Sequence, residues 1–358
     1  MAERIGADLE GGPGIGTSKS APIGRVPSAS TGGWVGIAAN AASGRGRGRS
    51  AVARLALELE RLGVEARIAW TLEGRRELVD SSAGSGSGRD RCRCLVAAGG
   101  DGTVAALINE RPVVPIAVIP AGTENLFARH FAFVRDARRA AGRIVEGRSV
   151  PLDLGLVGDR RFALMAGLGF DADVVSRHHA ARVGHSGLPR TTHRAAYVEP
   201  VLRSTFGYRF PLLTIAAEDT EGREETLAGT TAFVFNLPRY ALGLPFAPTA
   251  RGDDGWLDLV VFRDPGAFRA LHYLWLVVRG LHLKRPGITH RRVRRVTIEA
   301  AAPVPVQLDG DPGGVIEPGE PPWIVEVLPR AVGVVAPTHK PEVARPGRPR
   351  AADSARRR

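Results

Sequence analysis

The stretch Cys94-Leu95-Val96-Ala97-Ala98-Gly99-Gly100-Asp101-Gly102-Thr103 limits what this chain can become more than any other. A short apolar run enters a glycine-loaded turn, and Val104 to Glu110 leaves it as a helix. The implied geometry is strand, loop, helix N-terminus. Glycines let a bulky anion approach the backbone, and the first helical N–H groups point at it. Asp101 is the discordant member, because a carboxylate repels phosphate unless a metal ion or a hydrogen-bonded hydroxyl lies between. A phosphate cradle that also carries an acid points to nucleotide with magnesium.

The flanking sequence repeats the same plan. Val35 to Ala39 reads as a strand that ends at Asn40 and opens a second glycine-rich loop, Ala41 to Gly48. Arg49 to Leu62 sets Val52, Leu55, Leu59 and Leu62 at helical spacing, and Gly63 ends that helix. Val64 to Trp70 alternates as a strand, and Thr71 opens the next loop. Ser81 to Gly88 has the composition of a flexible insertion. Pro115 to Ile119 is another buried strand; the Gly122–Asn125 turn follows, then a helix from Leu126 and a basic helix, Arg135 to Glu146. Residues 33–150 therefore predict an α/β domain on a parallel, doubly wound sheet, with ligands at the carboxyl ends of its strands.

The texture changes near Val150. Leu152–Val157, Phe162–Ala166, Leu212–Ala217, Thr230–Phe235, Trp256–Phe262, Val293–Glu299, Val304–Leu308 and Ile324–Leu328 are short alternating runs, which predict an antiparallel β-sandwich-type domain over 151–330. Asp171–Ala181 and Ala267–Leu283 are helical, the second introduced by Asp264-Pro265. Its Phe268, Leu271, Leu274, Trp275, Val278 and Leu281 form a wide apolar face, with Lys284, Arg285, Arg291, Arg292, Arg294 and Arg295 close behind. That juxtaposition suits an anionic membrane; the plainer expectation for the helix is core packing beside a solvated basic strand. Residues 1–32 read as a disordered leader and 331–358 as a basic disordered tail.

A chain of 358 residues can build two cores. Its net charge of +12 favours an anionic partner, although part of the excess sits in the tail. Cys92 and Cys94, with no His nearby, exclude a zinc site and read as reduced thiols of a cytoplasmic core. His178, His179, His185 and His193 match no metal spacing. No signal peptide is evident and no apolar run approaches spanning length. Nothing resembles a nucleic-acid recognition module, so no specific nucleic-acid partner is expected.

Four loops carry the candidate chemistry: Asn40 to Gly46, Gly99 to Thr103, Gly122 to Asn125, and Leu308-Asp309-Gly310-Asp311 at the end of a late strand. Together with Gly167-Leu168-Gly169-Phe170-Asp171-Ala172 and the Pro248–Asp258 segment, they make residues 33 to 330 resemble the diacylglycerol kinase catalytic-domain family, and more closely its soluble bacterial lipid kinases.

The resemblance implies an ATP-dependent lipid kinase with a diacylglycerol-like substrate at an anionic membrane surface, and it allows a homodimer. It implies nucleotide binding by Asn40, Ser43, Gly44, Thr71, Gly99, Gly100, Asp101, Gly102, Thr103, Thr123 and Asn125. A structural Mg²⁺ would take the Asp254 carboxylate and the carbonyls of Arg251 and Trp256. Asp101 would hold the catalytic Mg²⁺. The proton acceptor lies in Asp309-Gly310-Asp311, and Asp309 is favoured over Asp311 because the family's final acid is Glu. Further departures are Ala41 after Asn40, Leu126 where the family has an acid, and Glu124 in place of a small residue. Two other readings stay open: an NAD kinase, which shares the Gly-Gly-Asp-Gly-Thr loop, and a nucleotide- or phospholipid-binding protein that has lost catalysis.

Overall fold

The computed structural model describes residues 32–40, 47–84, 86–183 and 198–336. The expected leader up to residue 31, Ser43 and Gly44 of the first loop, His185, His193 and the tail beyond 336 lie outside the described residues.

The first half alternates strand and helix: β1 (Trp34–Ala39), α1 (Arg47–Arg61), β2 (Glu65–Ala69), α2 (Leu72–Ala83), β3 (Cys92–Gly99), α3 (Asp101–Asn109), β4 (Ile116–Pro120), α4 (Leu126–His130) and α5 (Ala137–Glu146). The strands pair in parallel in the order β2-β1-β3-β4. β1, β3 and β4 are buried almost throughout, as parallel strands covered on both faces must be. Ala39 lies level with Ala98, and Gly99 with Pro120. Asn40, the Gly99–Thr103 loop and the 122–125 turn therefore leave one edge of the sheet together.

Ser81–Gly88 is not wholly a flexible insertion, because α2 runs to Ala83. Thr71 Oγ1 accepts the Gly74 N–H at 3.1 Å and caps the helix, while Leu78, Val79 and the hydrogen-bonded Ser82 are buried beneath it. A good cap and two apolar anchors outweigh the polar composition.

The second half continues with β5 (Ser149–Val157), β6 (Arg160–Phe162), β7 (Met165–Leu168), α6 (Phe170–Val183), α7 (Val198–Gly207), β8 (Leu213–Glu218), β9 (Glu224–Gly229) and β10 (Thr231–Phe235). After these come β11 (Leu257–Phe262), α8 (Ala267–Val278), β12 (Ile288–Val293), β13 (Arg295–Ala300), β14 (Val304–Leu308), β15 (Asp311–Ile316) and β16 (Trp323–Val335). A six-stranded antiparallel sheet has the order β12-β11-β10-β7-β14-β15. The remaining strands extend the first sheet to ten, along β4-β16-β13-β8-β9 with β5 on β16 and β6 on β5.

The join is β16. Its first residues pair with β13, most of its length follows β5, and Val334 reaches Ile116 of β4 in parallel. The strand passes residue 331, where the tail was expected to begin, because Val332, Val334 and Val335 are buried in the first core. A register shift between Leu328 and Val332 leaves Arg330 left-handed at φ 53°.

Two cores result. One fills the parallel sheet and its helices and continues into Phe233, Phe235, Phe246, Phe262 and Tyr273. The other lies between the two sheets of the second half and includes Ile215, Leu257, Val296 and Leu308. Core packing describes only half of α8. Tyr273, Leu276 and Val277 are buried, but Phe268, Leu271, Leu274, Trp275, Val278 and the following Leu281 are all exposed. Asp264 does not cap this helix either; it accepts the Tyr273 hydroxyl at 2.8 Å. Both cysteines are buried and free, and burial pushes the Cys92 thiol up to about 11.

Candidate active site

Backbone crowding explains the glycines. A Cβ on Gly122 would lie 2.5 Å from the Gly100 Cα, so the two glycine turns pack main chain against main chain. A Cβ on Gly99 would lie 2.1 Å from Thr103 Oγ1. Asn125, left-handed at φ 50°, closes its own turn: Oδ1 accepts from Gly122 N at 2.9 Å and Nδ2 donates to Gly122 O at 2.7 Å. Its amide, expected to bind nucleotide, shapes the loop. Thr123 is exposed at the tip of the turn, and Asn40 and Thr71 are exposed at neighbouring strand ends.

Asp101, the expected metal-binding acid, is held by backbone donors. Its Oδ2 accepts from Leu126 N and its Oδ1 from Phe127 N, both at 3.0 Å. The carboxylate clamps the first turn of α4 onto the glycine loop, and each oxygen already has a donor. Burial raises its pKa, against the pull of those two N–H groups.

The other wall comes from the second half of the chain. Asp309 sits at the turn between β14 and β15, left-handed at φ 54°. Its carboxylate accepts from Ala163 N and Leu164 N at 2.8 Å and from Met165 N at 3.0 Å. It is buried, and burial pushes its pKa up to about 6, with the Asp101 charge adding to the rise. Asp311 is the freer acid. Half-buried, with no hydrogen-bond partner among the described residues, its Oδ2 stands 3.5 Å from where a Cβ on Gly102 would be. Of the two candidate bases, Asp309 is tied to three backbone donors and Asp311 faces the glycine loop.

A polar chain sets the height of this turn. Gln307 Oε1 accepts from Gly310 N at 2.7 Å, and Gln307 Nε2 donates to Asp171 at 3.1 Å. Asp171 also accepts the Tyr240 hydroxyl at 3.1 Å, and burial raises its carboxyl to about 6.

In the 251–256 loop the one side-chain ligand expected for a cation, Asp254, is already paired. Asp254 Oδ2 is 2.6 Å from the Arg292 guanidinium, and its Oδ1 accepts from Trp256 N at 3.2 Å. Arg251 is turned to Asp253 at 3.3 Å, while Arg292 and Arg294 flank the Trp256 ring. Among the described residues no three His, Cys, Asp or Glu side chains gather as a metal-binding group.

Sequence reasoning passed over Asp153. This fully buried acid accepts from Gly255 N at 2.7 Å and from Arg330 N at 2.6 Å, which ties the 251–256 loop to the irregularity in β16. The available signal was an acid inside the apolar run Val150–Val157.

Both halves of the chain are similar to known proteins. Residues 35–157 match the diacylglycerol kinase catalytic domain, and residues 165–336 match the YegS C-terminal NAD kinase beta sandwich-like domain. A diacylglycerol kinase of Staphylococcus carnosus is 29% identical over 227 residues, 62% of this chain and 70% of that protein. One from Mycobacterium tuberculosis is 28% identical over 251 residues, 67% of this chain and 76% of its own length. The crystal structure of a diacylglycerol kinase from Bacillus anthracis superimposes with a TM-score of 0.60 at 17% identity, covering 86% of this chain and 97% of that one. At that identity the superposition shows the fold alone.

Proposed function

This chain belongs to the diacylglycerol kinase catalytic-domain family, and on that premise we propose that it transfers the γ-phosphoryl group of ATP to a hydroxyl of a diacylglycerol-like lipid. The observation that carries the reading is Asp311, a carboxylate from the second half of the chain held beside Gly102 of the glycine loop. The turns at 99–103 and 122–125 receive the phosphates on their backbone N–H groups. Magnesium bound with the nucleotide would neutralise phosphate charge there.

The lipid hydroxyl oxygen attacks the γ-phosphorus in line. Its new O–P bond forms as the bond to the departing ADP oxygen breaks, and the hydroxyl proton passes to Asp311. Positioning contributes most of the acceleration. Asp309 fixes the turn that carries Asp311, and Asp101 holds the two glycine turns in register. Because the acceptor is a lipid, the enzyme works at a membrane surface.

The test is γ-labelled ATP with diacylglycerol micelles and with a total lipid extract. The wild type labels lipid, and Asp311→Asn lowers the rate by about a hundredfold or more, in the range of a lost general base. The exposed-side control Asp253→Asn keeps it. Label that persists in Asp311→Asn removes Asp311 from the role. No label from any lipid would favour a nucleotide- or phospholipid-binding protein, and conversion of NAD to NADP would make it an NAD kinase.

A further inference from the structure

α8 has two apolar faces. Tyr273, Leu276 and Val277 anchor one of them in the core around Phe262 and Phe246. Phe268, Leu271, Leu274, Trp275 and Val278 line the other, opposite arc, and Leu281 extends it past the helix end. Phe268 is 88% exposed and Trp275 50%. Side chains of this size in one contiguous patch mark an interaction surface.

Charge identifies the partner. From Pro265 to Ile298 the chain has no acidic residue. Arg279, Lys284 and Arg285 are exposed beside the apolar arc and have no acidic partner among the described residues, and Arg279 lies 5.5 Å over the Trp275 ring. An apolar stripe flanked by cations, with Trp among the outward residues, suits the interface of an anionic bilayer. A second copy of the chain suits it poorly, since a symmetric pairing of this face would bring the same cations together.

The face also has a route to the site. His282, just beyond α8, is 2.7 Å from the Phe246 carbonyl, and the loop that carries Phe246 packs its Gly243 against Arg129 of α4, which follows the 122–125 turn.

We propose that α8 lies in the plane of an anionic membrane, its Phe268–Val278 arc inserted among the acyl chains and Arg279, Lys284 and Arg285 against the headgroups. Its purpose, delivery of a lipid acceptor, rests on the lipid-kinase reading.

Co-sedimentation with vesicles of phosphatidylcholine, with and without phosphatidylglycerol, tests this on the full chain. The wild type binds the anionic vesicles and not the neutral ones. The double variant Phe268→Glu/Trp275→Glu loses about tenfold or more in binding, as expected when two large apolar groups leave the interface. Lys284→Glu/Arg285→Glu loses binding in a salt-dependent way. Both keep the wild-type melting temperature and the wild-type rate on a water-soluble short-chain diacylglycerol. Undiminished binding by the apolar variant overturns the proposal, as does a wild type that ignores anionic vesicles. So does a dimer that the variant dissolves while vesicle binding persists. If the wild type binds anionic vesicles through this face yet labels no lipid in any form, the kinase reading falls and the docking face stands. If it labels short-chain lipid but binds no vesicles, the docking face falls and the kinase reading stands.

Discussion

Two carboxylates separated by one glycine have unlike surroundings. Asp309 is wrapped by three backbone donors, while Asp311 is left beside Gly102. The tripeptide alone does not disclose this division, because it depends on where Ala163 to Met165 turn, far away in the chain. The same holds for Asp101, whose partners are the amides of Leu126 and Phe127. What the residues did disclose is a glycine loop at 99–102 open to an anion; the packing of Gly122 on the Gly100 backbone could not be read from it. The Asp171 carboxyl supplies a pH test. In the folded protein it keeps its proton to about 6, whereas the ordinary value is 3.8. The folded state thus binds the extra proton between those values, so stability is greatest on the acid side and falls as pH rises through the window. Asp171→Asn, which still accepts from Tyr240 and Gln307, should flatten that fall; Asp309 keeps its own share in the same direction. Urea midpoints at several pH values from 4 to 7 measure it, and an unchanged slope would refute the assignment.

The loop at 251–256 belongs to the scale of the element. With Arg292 seated on Asp254, added magnesium or chelator should leave the melting temperature of the ligand-free protein unchanged. Arg292→Gln should lower stability by about 1 kcal/mol or less, the range of a partly exposed pair. A melting temperature that rises with magnesium in the wild type would restore the metal. Most elements were legible beforehand: α1 from its spacing, α5 as a basic helix, β1, β3 and β4 from their apolar runs, and β2 from its alternation. α2 was not, because its stability comes from the Thr71 cap and from Leu78 and Val79 against β1 and β2, while its surface is serine and charge. α8 was legible as a helix but not in its exposure, since an apolar residue reads the same whichever side of the helix the core lies on. The guanidinium on Asp254 comes from β12, a strand away, and no local spacing connects the two.

At the scale of the molecule the two halves share one sheet. The N-terminal half of the plan could be read from alternating strands and helices, but not the return of Trp323–Val335 to β4, because strand partners at that separation leave no periodic trace. A chain joined this way should unfold in one calorimetric transition, and Val334→Asp, which buries a charge at the join, should lower the stability of both halves together by about 3 kcal/mol or more. Two separate transitions would show the halves to be independent. β16 is also the last strand of the described chain. During synthesis β4 therefore waits with an unpaired edge while more than half of the protein is still being made. That open edge is the place where a nascent chain of this kind needs a chaperone, and where one that stalls would begin to aggregate.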